Sequence, residues 1–209
     1  MSKIVSEGFL EIICGPMFAG KTEELLRILN RLKYAKVEYI VFKPLIDSRS
    51  KNSIGSRNGQ SENAIEIKSP SEILDFILKS EKKYQLIAID EAQFLDQEII
   101  DVCLTLANND FHVIVTGLDK NFKGEPFGYI PQLMVYANKI TKLSAICTQC
   151  GCEAHYSQRL ISGEPANYNS DLILIGDTEN YEARCLNHFI VPDKPISKAC
   201  QRFNKEFNK

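Results

Sequence analysis

The chain has 209 residues, 44% hydrophobic and 25% charged, with 25 Lys+Arg against 27 Asp+Glu; this suits one or two globular domains. A net charge of −2 gives no bulk electrostatic footprint for DNA or RNA, and no apolar run approaches the roughly 18 residues of a membrane span. Residues 1–8 hold no apolar signal core, so the expectation is a cytoplasmic protein with no nucleic-acid and no membrane partner.

Phe9-Leu-Glu-Ile-Ile-Cys14 reads as a strand running into a glycine-rich turn. Leu25, Ile28, Leu29 and Leu32 then fall on one face at helical spacing. A second buried strand is predicted over 39–42, and residues 47–63, rich in Ser, Asn and Gly, read as a mobile loop. Pro70 and Ser71 open a helix through Leu78; 86–89 is a third strand, 95–107 a helix and 113–116 a fourth strand. Strands of Ile, Val and Leu without alternation, each followed by a helix, predict an α/β fold with a parallel sheet covered on both faces. After Thr141 the texture changes to cysteine pairs, a short extended run at 172–175 and turn residues. The predicted organisation is an α/β domain over 1–140, a small cysteine-bearing domain over 141–192 and a polar, peripheral tail over 193–209.

Gly15-Pro16-Met17-Phe18-Ala19-Gly20-Lys21-Thr22 matches G-x-x-x-x-G-K-[ST] at every fixed position. Glycines let backbone N–H groups wrap a phosphate, and the next helix points its N-terminus at the anion. Lys21 then reaches the β- and γ-phosphates, and the Thr22 hydroxyl ligates Mg²⁺. Asp90-Glu91-Ala-Gln93-Phe94 follows the third strand directly. In a parallel sheet the carboxyl ends of the strands share one edge, which brings Asp90 and Glu91 toward the phosphate loop. Asp90 is the candidate Mg²⁺ ligand. Glu91, ionised at neutral pH when unperturbed, is the candidate general base.

Seven cysteines in a chain read as intracellular argue against a disulfide framework. Cys14 and Cys103 sit in apolar segments and read as small hydrophobes. Cys147-Thr-Gln-Cys150 and Cys185-Leu-Asn-His188 are two pairs at x₂ spacing, a three-thiolate, one-imidazole set suited to structural Zn²⁺. Cys152 and His155 are rival ligands, set aside for the more regular pairs.

Taken in order, the phosphate loop, the acidic box, Gly117-Leu-Asp119 with Phe122 and Pro126-Phe127-Gly128, and the two zinc pairs resemble the type II thymidine kinases. The resemblance runs from about Gly8 to His188. It implies a P-loop, RecA-like sheet with a zinc ribbon and a "lasso" loop, and transfer of the ATP γ-phosphate to the 5′-hydroxyl of thymidine with Mg²⁺. By match, Glu91 is the catalytic base, residues 15–22 hold the phosphates, and Asp47, Ser48 and Arg49, with Gln93, belong to the ATP side. An arginine at 49 would offset charge on the transferring group. The lasso corresponds to residues 159–181. Phe122, Leu172, Ile173, Leu174, Ile175, Gly176 and Tyr181 match thymidine-contacting positions, with Met17 and Leu118 completing the pocket. A homotetramer and inhibition by thymidine triphosphate are further implications of the resemblance. The chain departs from the family's common pattern at His188, where some members carry Cys, and at Ala19, where Ser is usual.

Two other readings fit single motifs. A nucleic-acid ATPase would also use an acidic box after a strand, but the one sheet domain and the absence of a Lys/Arg-rich run weigh against it. A nucleotide-binding regulator without turnover would not need Glu91 beside Asp90.

Overall fold

A computed structural model describes residues 5–45, 53–55, 59–172 and 180–207. Six parallel strands form the central sheet in the order β5-β2-β6-β7-β1-β8. They are β1 (Phe9–Cys14), β2 (Tyr39–Pro44), β5 (Ile65–Ile67), β6 (Leu86–Ile89), β7 (His112–Gly117) and β8 (Lys139–Lys142). Every residue of β6 and β7 is buried, which is why 86–89 and 113–115 read as unbroken aliphatic runs.

Helix α1 (Lys21–Tyr34) lies on one face. Its Leu25, Leu26, Leu29 and Leu32 pack on Ile13, Val41, Ala88 and Ile114. Helices α2 (Ser71–Lys79), α3 (Glu98–Asn108) and α4 (Ile130–Tyr136) cover the other face. There Ile73, Ile99, Val102, Leu106, Ile130 and Leu133 meet Ile12, Phe42, Ile87, Ile89 and Val115. Cys14 and Cys103 are buried in this core, and burial pushes the Cys103 thiol up to about 12, so both pack as apolar groups.

The expected loop over 47–63 is partly ordered, and this corrects the sequence reading. Strands β3 (Ser53–Gly55) and β4 (Ser61–Asn63) form an antiparallel hairpin. Its one large apolar residue, Ile54, is buried against the α1 layer, while Glu62 accepts a hydrogen bond from the Tyr39 hydroxyl at 2.9 Å and pairs with Lys33. A single isoleucine in a polar stretch is too little periodicity to reveal a strand. Residues 46–52 and 56–58 lie outside the described part. Helix α4 and edge strand β8 were not expected either. The tail is exposed as expected, but it carries a helix, α5 (Lys198–Phe207).

Beyond β8 the chain builds β9 (Ala145–Ile146) against β10 (Glu153–Ala154), then β11 (Tyr156–Ile161) between β12 (Glu164–Pro165) and β13 (Tyr181–Arg184), all antiparallel. The core of this part is small: Ala145, Cys147, Ala154, Ala183 and Cys185, with Ala19 of the phosphate loop packed against it. No described helix is long and apolar enough to cross a membrane.

Candidate active site

The loop after β1 is shaped by conformations that side chains resist. At Gly15, with φ of 150°, a Cβ would stand 2.5 Å from the Leu143 carbonyl oxygen, so only glycine fits. Phe18 and Gly20 are left-handed, with φ of 66° and 77°, and Gly20 leads into α1. No side chain caps that helix start, which leaves its first-turn N–H groups turned toward the loop. Lys21 is buried and donates to the Pro16 carbonyl at 2.8 Å, holding its ammonium inside the turn.

The acidic box stands where strand register puts it. The Asp90 N–H donates to the Phe42 carbonyl at 2.9 Å, continuing the β2–β6 ladder. Across the carboxyl edge, Glu66, Lys43, Asp90 and Thr116 therefore fall on one register line. Lys43 is fully buried, with Nζ 3.5 Å from Glu66 Oε1. Thr116 donates its hydroxyl to Asp90 Oδ1, which also accepts the Glu91 N–H at 3.0 Å. Thr22 Oγ1 lies 3.4 Å from Asp90 Oδ2, so the hydroxyl and carboxylate singled out as cation ligands do meet. Burial first, and the neighbouring Glu91 charge second, push Asp90 up to about 6, while Thr116, the Glu91 N–H and Lys21 pull the other way. A hard cation beside this carboxylate would favour its ionised form, and the all-oxygen pair of Thr22 and Asp90 fits such an ion.

Glu91 is left-handed, φ 52° and ψ 36°, a conformation costly for a residue with a Cβ. Its Oε2 accepts a hydrogen bond from Gln93 Nε2 at 2.5 Å, and Gln93 Oε1 accepts the Leu118 N–H at 3.0 Å. Gln93 thus ties the acid to the end of β7. It crosses Gly117, where a Cβ would come within 2.7 Å of Gln93 Oε1. Among the expected pocket residues, Phe122 is buried, Tyr181 lies opposite Arg159 in the β11–β13 ladder, and Leu172 is exposed. Asp47, Ser48, Arg49, Ile173, Leu174, Ile175 and Gly176 lie outside the described residues.

Strand β11 was missed as a source of site residues, because three consecutive polar residues without a motif give no signal. Four consecutive side chains on it reach three other segments. Tyr156 stacks on Phe189, with centroids 4.4 Å apart. Ser157 Oγ accepts the Met17 N–H of the phosphate loop at 2.9 Å. Gln158 exchanges two hydrogen bonds of 2.9 Å with the backbone of Ile190. Arg159 lies over the Phe122 ring, its guanidinium carbon 5.0 Å from the centroid.

Cys147, Cys150, Cys185 and His188 converge, with all ligand atoms within 4.8 Å of one another. Cys150 Sγ to Cys185 Sγ is 3.7 Å; His188 Nδ1 is 3.3 Å from Cys185 Sγ and 3.8 Å from Cys147 Sγ. Tetrahedral zinc with about 2.3 Å Zn–S and 2.0 Å Zn–N bonds requires edges of roughly 3.8 and 3.6 Å, so the donors match in kind and spacing. Burial opposes ionisation of Cys147, but backbone hydrogen bonds involving Cys185, Gln149 and Cys150 bring its thiol down to about 6, which supplies thiolate at neutral pH. This cluster could hold zinc through Nδ1 of the histidine.

Comparison with known proteins gives one answer. The family model described as thymidine kinase matches residues 8–189. The chain is 51% identical to a thymidine kinase of Ureaplasma parvum over 203 residues, covering 96% of this chain and 91% of that protein. It is 49% identical to one of Mycoplasmoides gallisepticum over 201 residues, with 96% and 89% coverage. With one of Mycoplasma genitalium it shares 48% over 201 residues, at 96% and 92% coverage. A phosphate loop facing an acidic strand end, beside a four-donor metal cluster, is thus found in a chain that belongs to the thymidine kinase family.

Proposed function

We propose that this protein transfers the γ-phosphoryl group of ATP to the 5′-hydroxyl of thymidine, giving the 5′-monophosphate and ADP, and that it also accepts deoxyuridine. The carrying observation is the meeting of the Thr22 hydroxyl with the Asp90 carboxylate 3.4 Å away, one residue before Glu91. In this reading residues 15–22 cradle the triphosphate through backbone N–H groups and Lys21. Thr22 and Asp90 would hold Mg²⁺, which when bound screens the phosphate charge. Glu91 orients the nucleoside hydroxyl and takes its proton as the hydroxyl oxygen bonds to phosphorus and the bond to the ADP oxygen breaks. Positioning and charge neutralisation do the rest.

The base lies among Met17, Leu118, Phe122 and Tyr181, under a lasso that also brings residues 172–176. Asp47, Ser48 and Arg49 serve the phosphate side; Gln93, grouped with them by resemblance, acts through its bond to Glu91. Zinc on Cys147, Cys150, Cys185 and His188 is structural and pins both ends of the lasso. The organisation is a catalytic unit over 1–140, a zinc and lasso unit over 141–192 and a tail over 193–209. A cytoplasmic homotetramer inhibited by thymidine triphosphate completes the reading, and it rests on the family.

The test is steady-state phosphorylation of thymidine, deoxyuridine and deoxycytidine with ATP and Mg²⁺, beside a control without nucleoside. Product at the 5′-position of thymidine and none from deoxycytidine is expected. ATP hydrolysis without any nucleoside product would overturn the assignment.

A further inference from the structure

Arg159 is 3% exposed, yet its charge meets no carboxylate among the described residues. Its Nη1 donates to the Asp171 carbonyl, its guanidinium lies over Phe122, and its buried Nε–H has no acceptor. Its own carbonyl accepts the Ala166 N–H at 2.9 Å. One residue therefore grips residues 166–171 at both ends, by backbone at Ala166 and by side chain at Asp171. Between these points the segment is tied outward. Tyr168 donates its hydroxyl to Glu125 at 3.0 Å and its N–H to Pro192 at 2.9 Å, and the Lys123 ammonium lies 4.7 Å from the Tyr168 centroid.

For fold stability alone this is a poor use of a buried position. An apolar side chain would fill the space beneath Phe122 without a desolvated charge or an unsatisfied donor. What the guanidinium adds is a bond to the Asp171 carbonyl, at the far end of a segment otherwise held through Ala166, Asn167 and Tyr168. We propose that Arg159 is a positioning residue: a latch that holds residues 166–171 against Phe122 and so fixes the wall of the pocket that admits a pyrimidine nucleoside. The inference rests on the reading of that face as the nucleoside site. It differs from zinc anchorage, which acts from Cys147, Cys150, Cys185 and His188.

The test uses the full, zinc-loaded chain with Arg159→Met and Arg159→Lys. Two readouts separate the latch from the reaction. The first is chymotryptic cleavage after Tyr168 without any ligand. The second is the thymidine KM set against kcat and against the ATP KM. With Arg159→Met, cleavage is expected to accelerate about tenfold, since opening becomes local and frequent. The thymidine KM is expected to rise about tenfold with kcat and ATP KM within about threefold. Arg159→Lys should recover part of both effects. Unchanged cleavage with an unchanged thymidine KM overturns the latch, as does a parallel rise of both KM values with loss of zinc, which marks a general packing role. If the wild-type chain phosphorylates no nucleoside, the kinase reading fails, and cleavage alone decides the latch.

Discussion

Strand β6 is Leu-Ile-Ala-Ile, and strand β11 opens Tyr-Ser-Gln-Arg, yet both run through the interior: Ser157, Gln158 and Arg159 are as buried as the core aliphatics. In β6 the side chains are interchangeable hydrocarbon pressed between two helical layers, and area removed from water holds them. In β11 the side chains have specific partners on other segments, Ser157 at Met17, Gln158 at Ile190 and Arg159 at Asp171 and Phe122, and the strand is fixed by those partners. The apolar core beside it is three alanines and a half-packed fourth around prospective zinc thiolates. The sheet should therefore be self-sufficient, while the second unit should depend on its metal.

Metal removal breaks that contrast most sharply. Structural zinc in small domains contributes about 10–16 kcal/mol of apparent binding energy. Chelation, or Cys185→Ser, is expected to leave amides of β9–β13 exchanging freely while β1, β6 and β7 stay protected, read by hydrogen exchange. Thymidine binding should fall more than ATP binding; equal losses would mean that zinc supports the whole fold. Next in size, Glu91→Gln is expected to lower kcat by about 10²–10⁴-fold with nucleotide binding intact. A variant near wild-type kcat would remove Glu91 from the chemistry. The sheet's own counterpart is Ile87→Ala, which should cost about 2–5 kcal/mol in denaturant unfolding without changing zinc content.

The smallest effect concerns Glu11, a buried acid in the middle of β1. Burial would raise its pKa, but contacts to His112 and Lys139, the latter at 2.7 Å, hold it below the ordinary value of 4.5. A depressed carboxyl contributes stability that is present above that value and lost as pH falls through and below it. Stability measured from pH 6 down to pH 3 should therefore drop less steeply in Glu11→Gln than in wild type.

The same contrast decides what the sequence made legible. Aliphatic strands with their helices, the phosphate loop and the x₂ zinc pairs each carry a period or a fixed spacing, and all four predicted sheet strands are present. Strand β8, Lys-Ile-Thr-Lys, is an exposed edge with little hydrocarbon to announce it, and α4 before it has only seven residues, with a proline in its first turn. The 53–63 hairpin rests on one buried isoleucine. Ser157 and Arg159 were invisible because a polar residue in a strand ordinarily faces water, and only the tertiary partners turn these inward. The meeting of Thr22 with Asp90 was legible because parallel topology sends strand ends to one edge wherever the strands fall in the chain.

The left-handed turn at Glu91 makes position 91 a point where two kinds of selection part company. A population screened only for heat resistance would drift there toward glycine or asparagine, gaining about 1 kcal/mol from a relaxed backbone. A population screened for turnover would keep the glutamate and carry that strain. Sequencing both populations at this one codon would show how much conformational discomfort the chain tolerates for the sake of one carboxylate.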